Sequence, residues 1–222
     1  MLIKYINGNQ YRNIYVVGDI HGEYYKLLGQ LNRLEFDPHN DLLIGVGDLV
    51  DRGSNSLECA FLPDESWFET VYGNHEDFCV KGFADYKYEF YHKMPNNGGA
   101  WFYEQMDETK SAIVELFKSL PYLIELEYKG KKYGIVHADL PYEDWELVKA
   151  CVEKDDMVGD RKIRDWVIWA RELVNRQHVE IAQVDQVFIG HTSLPQVKNV
   201  GNVSFIDTGA VFTGGELAII KL

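Results

Sequence analysis

Five short segments of the chain each carry one or two side chains that bind hard metal ions, and each follows an apolar run. They are GDIHG at 18–22, GDLVDRG at 47–53, GNHE at 73–76, VHAD at 136–139 and IGHT at 189–192. The candidate ligands are two carboxylates, one amide oxygen and three imidazoles, namely Asp19, His21, Asp48, Asn74, His137 and His191. This mixture of nitrogen and oxygen donors suits manganese, iron or zinc better than a soft metal. The pattern predicts a site for two divalent ions.

Two cations held about 3.5 to 4 Å apart need a bridging anion between them. Asp48 lies in the middle of the set and is the candidate for that bridge. Asp19 and His21 are then expected to serve one ion. The remaining ligands, Asn74, His137 and His191, are expected to serve the other.

The segments around the first three motifs predict the elements that position these ligands. NIYVVGD at 13–19 is a short apolar strand, and residues 23–36 after it have the three- and four-residue apolar spacing of a helix. DLLIGVGD at 41–48 repeats the buried-strand pattern, and 69–78 gives a third example. Each motif therefore leaves the C-terminal end of a strand, where open α/β sheets bind their ligands.

The rest of the chain adds helices and strands to this plan. Residues 77–119 are predicted to be helical, as a cap or flank, with a break at the turn-rich cluster 95–99. A hairpin after Pro121 is expected to deliver His137, residues 143–182 are predicted to be helical again, and three short strands end the chain. The fold class is therefore α/β, with two mixed β-sheets flanked by helices, in a single domain over 1–222.

The composition of the chain argues against several classes of protein. The formal net charge of −13 argues against a general nucleic-acid-binding protein, whose surface would be basic. The odd number of cysteines, Cys59, Cys79 and Cys151, lacks C-x-x-C spacing and predicts free thiols rather than disulfides or a thiolate zinc site. The N-terminus does not resemble a signal peptide, and no apolar run approaches the ~18 residues of a membrane span. We expect a cytoplasmic protein with no membrane partner.

The five motifs together resemble the signature of the metallo-dependent phosphoprotein phosphatases. The likeness extends to NGGAWF at 97–102, HADLPYEDWE at 137–146, WARE at 169–172 and the tail IDTGAVFTGGEL at 206–217. Across the whole chain it is similar to the compact serine/threonine phosphatases of bacteria and their phages, typified by the lambda-phage enzyme. The resemblance implies a two-sheet sandwich, two manganese-like ions, and hydrolysis of phosphoserine and phosphothreonine monoesters by direct attack of a metal-bridging hydroxide.

The resemblance also implies roles for residues beside the ligands. His75 is expected to be the general acid that protonates the leaving alkoxide, with Asp51 orienting its imidazole. The alternatives are a seventh metal ligand for His75 and a turn residue for Asp51. Arg52 and Arg171 match the positions that bind the substrate phosphate, where a guanidinium offers a bidentate fork; isolated arginines of this kind more often form surface salt bridges.

One position departs from the family. Most relatives have arginine before Gly-Asn-His-Glu, whereas this chain has Tyr72, which can donate a hydrogen bond but adds no charge. The symmetrical diadenosine tetraphosphate hydrolases differ from the protein phosphatases at this point, so such a hydrolase is the alternative function. Asp139-Leu140-Pro141 and WARE follow the phosphatase pattern, and we expect phosphorylated proteins or peptides as substrates and a monomer in solution.

A few conspicuous residues fall outside these roles. The histidines His39, His92 and His178 are predicted to be surface or structural residues. Asp207 is either a neighbour of the metal ligands or a plain turn residue. Asn97-Gly98-Gly99 and Trp101 either border the cleft or cap a helix.

Overall fold

The computed structural model describes all 222 residues and contains twelve β-strands and eight α-helices. The strands are β1 (Ile3–Asn7), β2 (Asn13–Val17), β3 (Asp41–Gly45), β4 (Phe68–Thr70), β5 (Leu123–Tyr128), β6 (Lys131–Val136), β7 (Met157–Val158), β8 (Arg161–Lys162), β9 (Gln186–Ile189), β10 (Lys198–Val200), β11 (Val203–Phe205) and β12 (Ile219–Lys221). The helices are α1 (Tyr24–Arg33), α2 (Ser56–Ala60), α3 (Asn74–Ala84), α4 (Tyr86–His92), α5 (Ala100–Tyr103), α6 (Asp107–Ser119), α7 (Trp145–Lys154) and α8 (Ile163–Trp169).

Two mixed sheets form the centre of the molecule. The six-stranded sheet has the order β1-β5-β6-β9-β11-β10, and the four-stranded sheet has the order β12-β2-β3-β4. In the four-stranded sheet β2, β3 and β4 are parallel and β12 is antiparallel. In the six-stranded sheet β6, β9 and β11 are parallel to one another, while β5 and β10 are antiparallel to their neighbours β6 and β11. The predicted α/β class with two mixed sheets is confirmed.

Apolar side chains on both faces of the sheets build the core. Alternate residues such as Ile14 of β2 and Ile124 of β5 belong to a cluster of 13 buried residues between the two sheets. Their chain neighbours Tyr15 and Leu123 point the other way, into a cluster of 42 buried residues that includes the helices. Because both faces are covered, these strands are continuous apolar runs rather than alternating ones.

The hairpin β5–β6 and the helical segment between residues 74 and 119 match the prediction, including the break between α4 and α5. The prediction that 143–182 is helical was wrong in part. Asp155 takes a left-handed conformation that ends α7, and a small hairpin, β7–β8, turns at Gly159 before α8 begins. After α8 only a single 3-10 turn, Leu173–Asn175, follows before β9.

Besides β7 and β8, two more strands were not predicted. β1 pairs in parallel with β5 at the edge of the six-stranded sheet, and β10 is a three-residue edge strand with one buried side chain. No helix combines the length and the apolarity that crossing a membrane requires.

Candidate active site

The loops after five strands bring the predicted ligands together. Their order is Asp19 and His21 after β2, Asp48 after β3, Asn74 after β4, His137 after β6 and His191 after β9. All six side chains are buried, none being more than 7% exposed. The four-stranded sheet supplies four of them and the six-stranded sheet supplies two. The site therefore lies at the C-terminal edge shared by the two sheets, as the strand-loop pattern predicts.

Asp48 lies between two groups of donors. Its Oδ2 is 3.7 Å from His21 Nε2, and its Oδ1 is 3.3 Å from His137 Nε2. Within 4.8 Å of one another the ligand atoms form one group of His21, Asp48 and His75, and a second of Asp48, His137 and His191. Each carboxylate oxygen faces a different group, which is the geometry that a bridging ligand needs.

Each of the three predicted histidine ligands is oriented by a backbone carbonyl. The contacts are His21 Nδ1 to Val50 O at 2.9 Å, His137 Nδ1 to Val46 O at 2.8 Å and His191 Nε2 to Trp169 O at 3.2 Å. A ring nitrogen that donates to a carbonyl leaves the other nitrogen free as an electron-pair donor. Histidines that bind metals are held in this way by their second nitrogen.

The donor set fits a pair of divalent cations. His137 Nε2 lies 2.9 Å from Asn74 Oδ1 as well as 3.3 Å from Asp48, so three electron-pair donors converge on one point. The guanidinium of Arg52 already contacts the free nitrogen of His21. A cation could therefore bind among the donors around His137, and another could bind at the nitrogen of His21. The oxygen and imidazole donors are those that manganese, iron and zinc accept.

The ionisation of these groups supports the same conclusion. Burial lowers the pKa of His21 to about 3 and that of His191 to about 2, so both imidazoles remain neutral, as metal ligands must be. Burial opposes ionisation of Asp48, but the surrounding imidazoles, His137 foremost, together outweigh it and hold the pKa of Asp48 well below its ordinary value. Burial opposes protonation of His137 in turn, but the charge of Asp48 and its hydrogen bonds raise its pKa, in contrast to those of His21 and His191. Burial and the charges of Asp207 and Asp48 raise the pKa of Asp19 well above its ordinary value. Bound cations would relieve this conflict between carboxylates.

The site concentrates backbone strain. Nine residues other than glycine have positive φ, and five of them are predicted site residues: His21, Asp48, Asp51, Arg52 and His191. A left-handed conformation is unfavourable for a residue with a Cβ and persists where the surroundings impose it, commonly at functional sites. The predicted site residues therefore form the sharp turns themselves.

The glycines beside the ligands serve mainly to allow close approach. A Cβ on Gly190 would lie 2.1 Å from Asp19 Oδ1, and one on Gly73 would lie 2.4 Å from Asp48 Oδ1. Neither glycine has positive φ. Their role is to leave space for the two carboxylates.

Two further motif residues hold the loops in place, a role that the sequence analysis missed. Glu76 accepts hydrogen bonds at 2.9 Å from the backbone N–H groups of Asp48, Leu49 and Gly73, which ties the second motif to the third. Asp139 in VHAD accepts from the backbone N–H groups of Glu172 and Leu173 at 2.6 and 3.0 Å, directly after Arg171. The acidic residue at the end of each motif was the available signal for these contacts.

The structure brings His75 and Asp51 into contact beside the predicted ligands. His75 Nδ1 lies 2.6 Å from Asp51 Oδ2, and His75 Nε2 is directed at Asp48, 3.9 Å away. Burial opposes ionisation of Asp51, but hydrogen bonds from His75 and His92 hold its pKa below its ordinary range. Asp51 is therefore a buried carboxylate rather than an exposed turn residue.

The two predicted phosphate-binding arginines border the same centre. Arg52 contacts His21 and also donates to the Asn96 carbonyl at 3.2 Å. Arg171 donates to the His191 carbonyl at 3.4 Å, and burial lowers its pKa. Neither arginine forms a salt bridge with a carboxylate, so both guanidiniums remain available to an anion.

Tyr72 is turned away from this centre. Its ring is 5% exposed and lies 5.4 Å from that of Tyr122, and its hydroxyl donates to Asp77 at 3.2 Å. The hydroxyl lines a shallow pocket shared with Lys81 and Arg164 that contains none of the predicted ligands. Tyr72 therefore adds no hydrogen-bond donor to the anion site.

The histidines without a predicted role are either exposed or buried beside Asp51. His39 and His178 are exposed. His92 is fully buried and lies 2.7 Å from Asp51, and the indole N–H of Trp101 donates to the same carboxylate at 2.6 Å. No motif spacing points to His92, because only the packing of α4 against α3 brings it to Asp51.

The fold and the site define a metallophosphoesterase. The family described as calcineurin-like phosphoesterase matches residues 12–195, and the chain belongs to this family. Serine/threonine-protein phosphatase 1 of Salmonella typhimurium is 36% identical over 220 residues, which cover 98% of this chain and 95% of the relative.

Nucleotide hydrolases are also similar to the chain, either at lower identity over most of its length or at higher identity over a shorter stretch. A symmetrical bis(5'-nucleosyl)-tetraphosphatase of Coxiella burnetii is 47% identical over 150 residues, which cover 66% of this chain and 48% of the relative. A solved chain assigned as a diadenosine tetraphosphatase superposes with a TM-score of 0.65 at 18% identity, covering 99% of this chain and 97% of that one. At that identity the superposition shows the shared fold.

Proposed function

We propose that the protein is a metal-dependent phosphatase that hydrolyses phosphoserine and phosphothreonine in proteins. The observation that carries the proposal is the pair of donor groups that share Asp48, one of which contains His75, the residue whose Nδ1 contacts Asp51. The full-length similarity to a serine/threonine-protein phosphatase supports the choice of substrate.

The six predicted ligands are proposed to hold the two ions. Asp19, His21 and Asp48 form one set, and Asp48, Asn74, His137 and His191 form the other. When bound, two divalent cations supply a water activated for attack at neutral pH and neutralise charge on the phosphoryl group. We propose Mn²⁺ as the ion, because the set has three imidazoles, oxygen donors and no sulfur.

His75 is proposed to donate a proton from Nε2 to the serine or threonine oxygen as the P–O bond breaks. The contact from Nδ1 to Asp51 holds the ring with Nε2 toward Asp48. A general acid must present its donor atom to the leaving oxygen, and this contact fixes which nitrogen of His75 does so.

Arg52 and Arg171 are proposed to hold the phosphate oxygens. They approach the ligand cluster from two elements, the loop after β3 and the segment after α8. Charge-assisted hydrogen bonds of this kind fix the phosphoryl group in line with the leaving oxygen. They also offset the overall negative charge of the protein near the site.

A second candidate function is symmetrical hydrolysis of diadenosine tetraphosphate. The similarity to the symmetrical bis(5'-nucleosyl)-tetraphosphatase of Coxiella burnetii favours it. Only 48% of the length of that enzyme is matched, so we rank this function below the dephosphorylation of proteins.

The test compares the two substrates directly. The protein is treated with chelator, reloaded with manganese, iron, zinc or magnesium, and assayed on a phosphoserine peptide and on diadenosine tetraphosphate at matched concentrations. We expect restored phosphate release from the peptide, best with manganese. Release of ADP with a far higher kcat/KM than peptide dephosphorylation would overturn the choice of substrate.

We further propose that residues 1–222 act as one catalytic domain, monomeric and cytoplasmic. Ligands from residue 19 to residue 191 lie in one site, and the three cysteines are buried free thiols, which suits a reducing compartment. Light scattering at increasing protein concentration tests the oligomeric state. A constant mass near 25.6 kDa is expected.

A further inference from the structure

The carboxylate of Asp51 accepts hydrogen bonds from three rings. His75 Nδ1 and His92 Nε2 lie 2.6 and 2.7 Å from Oδ2, and Trp101 Nε1 lies 2.6 Å from Oδ1. Asp51 and His92 have no exposed surface. Orientation of the general acid requires only the contact between His75 and Asp51. The contacts of Asp51 with His92 and Trp101 therefore need a further explanation.

The ring of His92 is fixed on every side. The Tyr103 hydroxyl lies 3.0 Å from Nδ1, so when Nε2–H donates to Asp51, Nδ1 accepts from the hydroxyl. The ring of Phe78 stacks on His92 at 5.5 Å with an angle of 9°. The tautomer and the orientation of His92 are therefore both set by neighbours.

The two glycines of Asn97-Gly98-Gly99 make room for this arrangement. A Cβ on Gly99 would lie 1.9 Å from the ring of His92. Gly98 has a φ of +78°, and a Cβ there would lie 2.5 Å from the backbone nitrogen of Arg52. The turn between α4 and α5 therefore packs closely against His92, which contacts Asp51, and against Arg52, which follows Asp51 in the chain.

A third metal site at this place does not fit. Asp51, Cys79 and His92 lie close enough to form a ligand group. However, both nitrogens of His92 are occupied by Asp51 and Tyr103. Burial raises the pKa of Cys79 well above its ordinary value, so the sulfur remains a thiol and a poor ligand.

We propose that His92 is a positioning residue for the general acid. With two donors on Oδ2 and one on Oδ1, the Asp51 carboxylate cannot rotate, and Oδ2 stays directed at His75. His92 thereby keeps the Nδ1–H of His75 directed at Asp51. Nε2 is then the nitrogen that transfers its proton to the leaving oxygen. The inference rests on the proposed function and links the α4–α5 segment to the chemistry.

The test uses His92→Leu and His92→Gln with two substrates. Hydrolysis of a phosphoserine peptide releases a serine alkoxide, which needs a proton. Hydrolysis of p-nitrophenyl phosphate releases a stable phenolate, which needs none. His92→Leu is expected to lower kcat on the peptide roughly 10- to 100-fold and on p-nitrophenyl phosphate by a few-fold at most. His92→Gln keeps an N–H donor and should restore part of the loss.

The control is His39→Gln, which changes an exposed histidine and should behave as wild type. Thermal unfolding checks the fold of each variant, and Tyr103→Phe gives a milder change should His92→Leu not fold. This variant removes only the hydroxyl, and we expect a smaller loss that is again confined to the peptide. The ¹⁵N chemical shifts of the His75 ring, measured without metal, should show a single Nδ1–H tautomer in wild type and a mixture in His92→Leu.

Equal losses on both substrates in every folded variant would overturn the role of His92, as would an unchanged His75 tautomer. Wild-type protein that hydrolyses p-nitrophenyl phosphate but not the phosphopeptide would instead contradict the proposed function. The two failures are therefore distinguishable.

Discussion

Binding of metal should stabilise the folded protein strongly, and substitution of Asp48 should abolish nearly all of that stabilisation. The six predicted ligands are buried and lie close together in the folded chain, with Asp19 Oδ2 4.0 Å from His21 Nε2 and Asn74 Oδ1 2.9 Å from His137 Nε2. Residues 19 to 191 are not held together in the unfolded chain. The ions therefore bind the native state and not the unfolded one. We expect the melting temperature of the chelator-treated protein to rise on addition of Mn²⁺.

The size of the effect follows from the number of sites. An ion present at a hundred times its Kd contributes about 2.7 kcal/mol, so two ions contribute about 5 kcal/mol. For a chain of this length 1 kcal/mol corresponds to roughly 2–4 °C. The expected rise is about 10–20 °C. His21→Ala removes a ligand of one ion and should retain about half of it.

Scanning calorimetry over a manganese titration measures the shift, and equilibrium dialysis gives the number of bound ions. Asp48→Asn should bind neither ion tightly, because each oxygen of Asp48 faces a different donor group. Asp160→Asn, at an exposed position, is the matched control and should retain the full shift. A full shift in Asp48→Asn, or one bound ion in wild type, would refute the assignment of Asp48 as a bridge.

Three further changes test other parts of the structure. Gly190→Ala would place a methyl group against Asp19, so manganese affinity by titration calorimetry should fall roughly 10- to 100-fold; unchanged affinity would contradict the close-approach argument. Arg52→Ala should raise KM and the inhibition constant of inorganic phosphate about tenfold or more, and unaltered phosphate inhibition would count against a direct contact. Glu125→Gln should cost about 2 kcal/mol of unfolding free energy at pH 7. Burial opposes the charge of Glu125, but Lys149, Trp145 and Lys132 together outweigh it and lower the pKa. The difference should therefore shrink as pH falls through that lowered value, and a constant difference down to low pH would exclude the charge of Glu125 as its cause.

The strand-and-loop plan could be predicted because the strands are buried on both faces. Continuous apolar runs such as Asp41–Gly45 mark these strands without ambiguity, and the polar motif after each run marks its C-terminal end. The strands at the edges gave weaker signals. Ile3–Asn7 mixes apolar and polar residues, and Lys198–Val200 has a single buried side chain, so neither stands out from a loop.

That the six candidate ligands lie together could likewise be predicted from residue type and position, whereas the residues that support them could not. Asp139 and His92 reach the site through contacts distant in sequence, to Glu172 and Asp51 respectively. The direction of a side chain is also set by packing. Tyr72 adjoins a motif, yet its hydroxyl serves Asp77.

The two donor groups differ in how they span the sandwich. Asp19, His21 and Asp48 all follow strands of the four-stranded sheet, so an ion held by them fastens neighbouring loops of one layer. The second group joins Asp48 and Asn74 to His137 and His191, which follow strands of the other sheet. On the proposed assignment, an ion there would cross-link the two layers and close loops of more than sixty residues, much as a disulfide would. Removal of the first ion would then loosen neighbouring loops only, whereas removal of the second would loosen the contact between the two sheets.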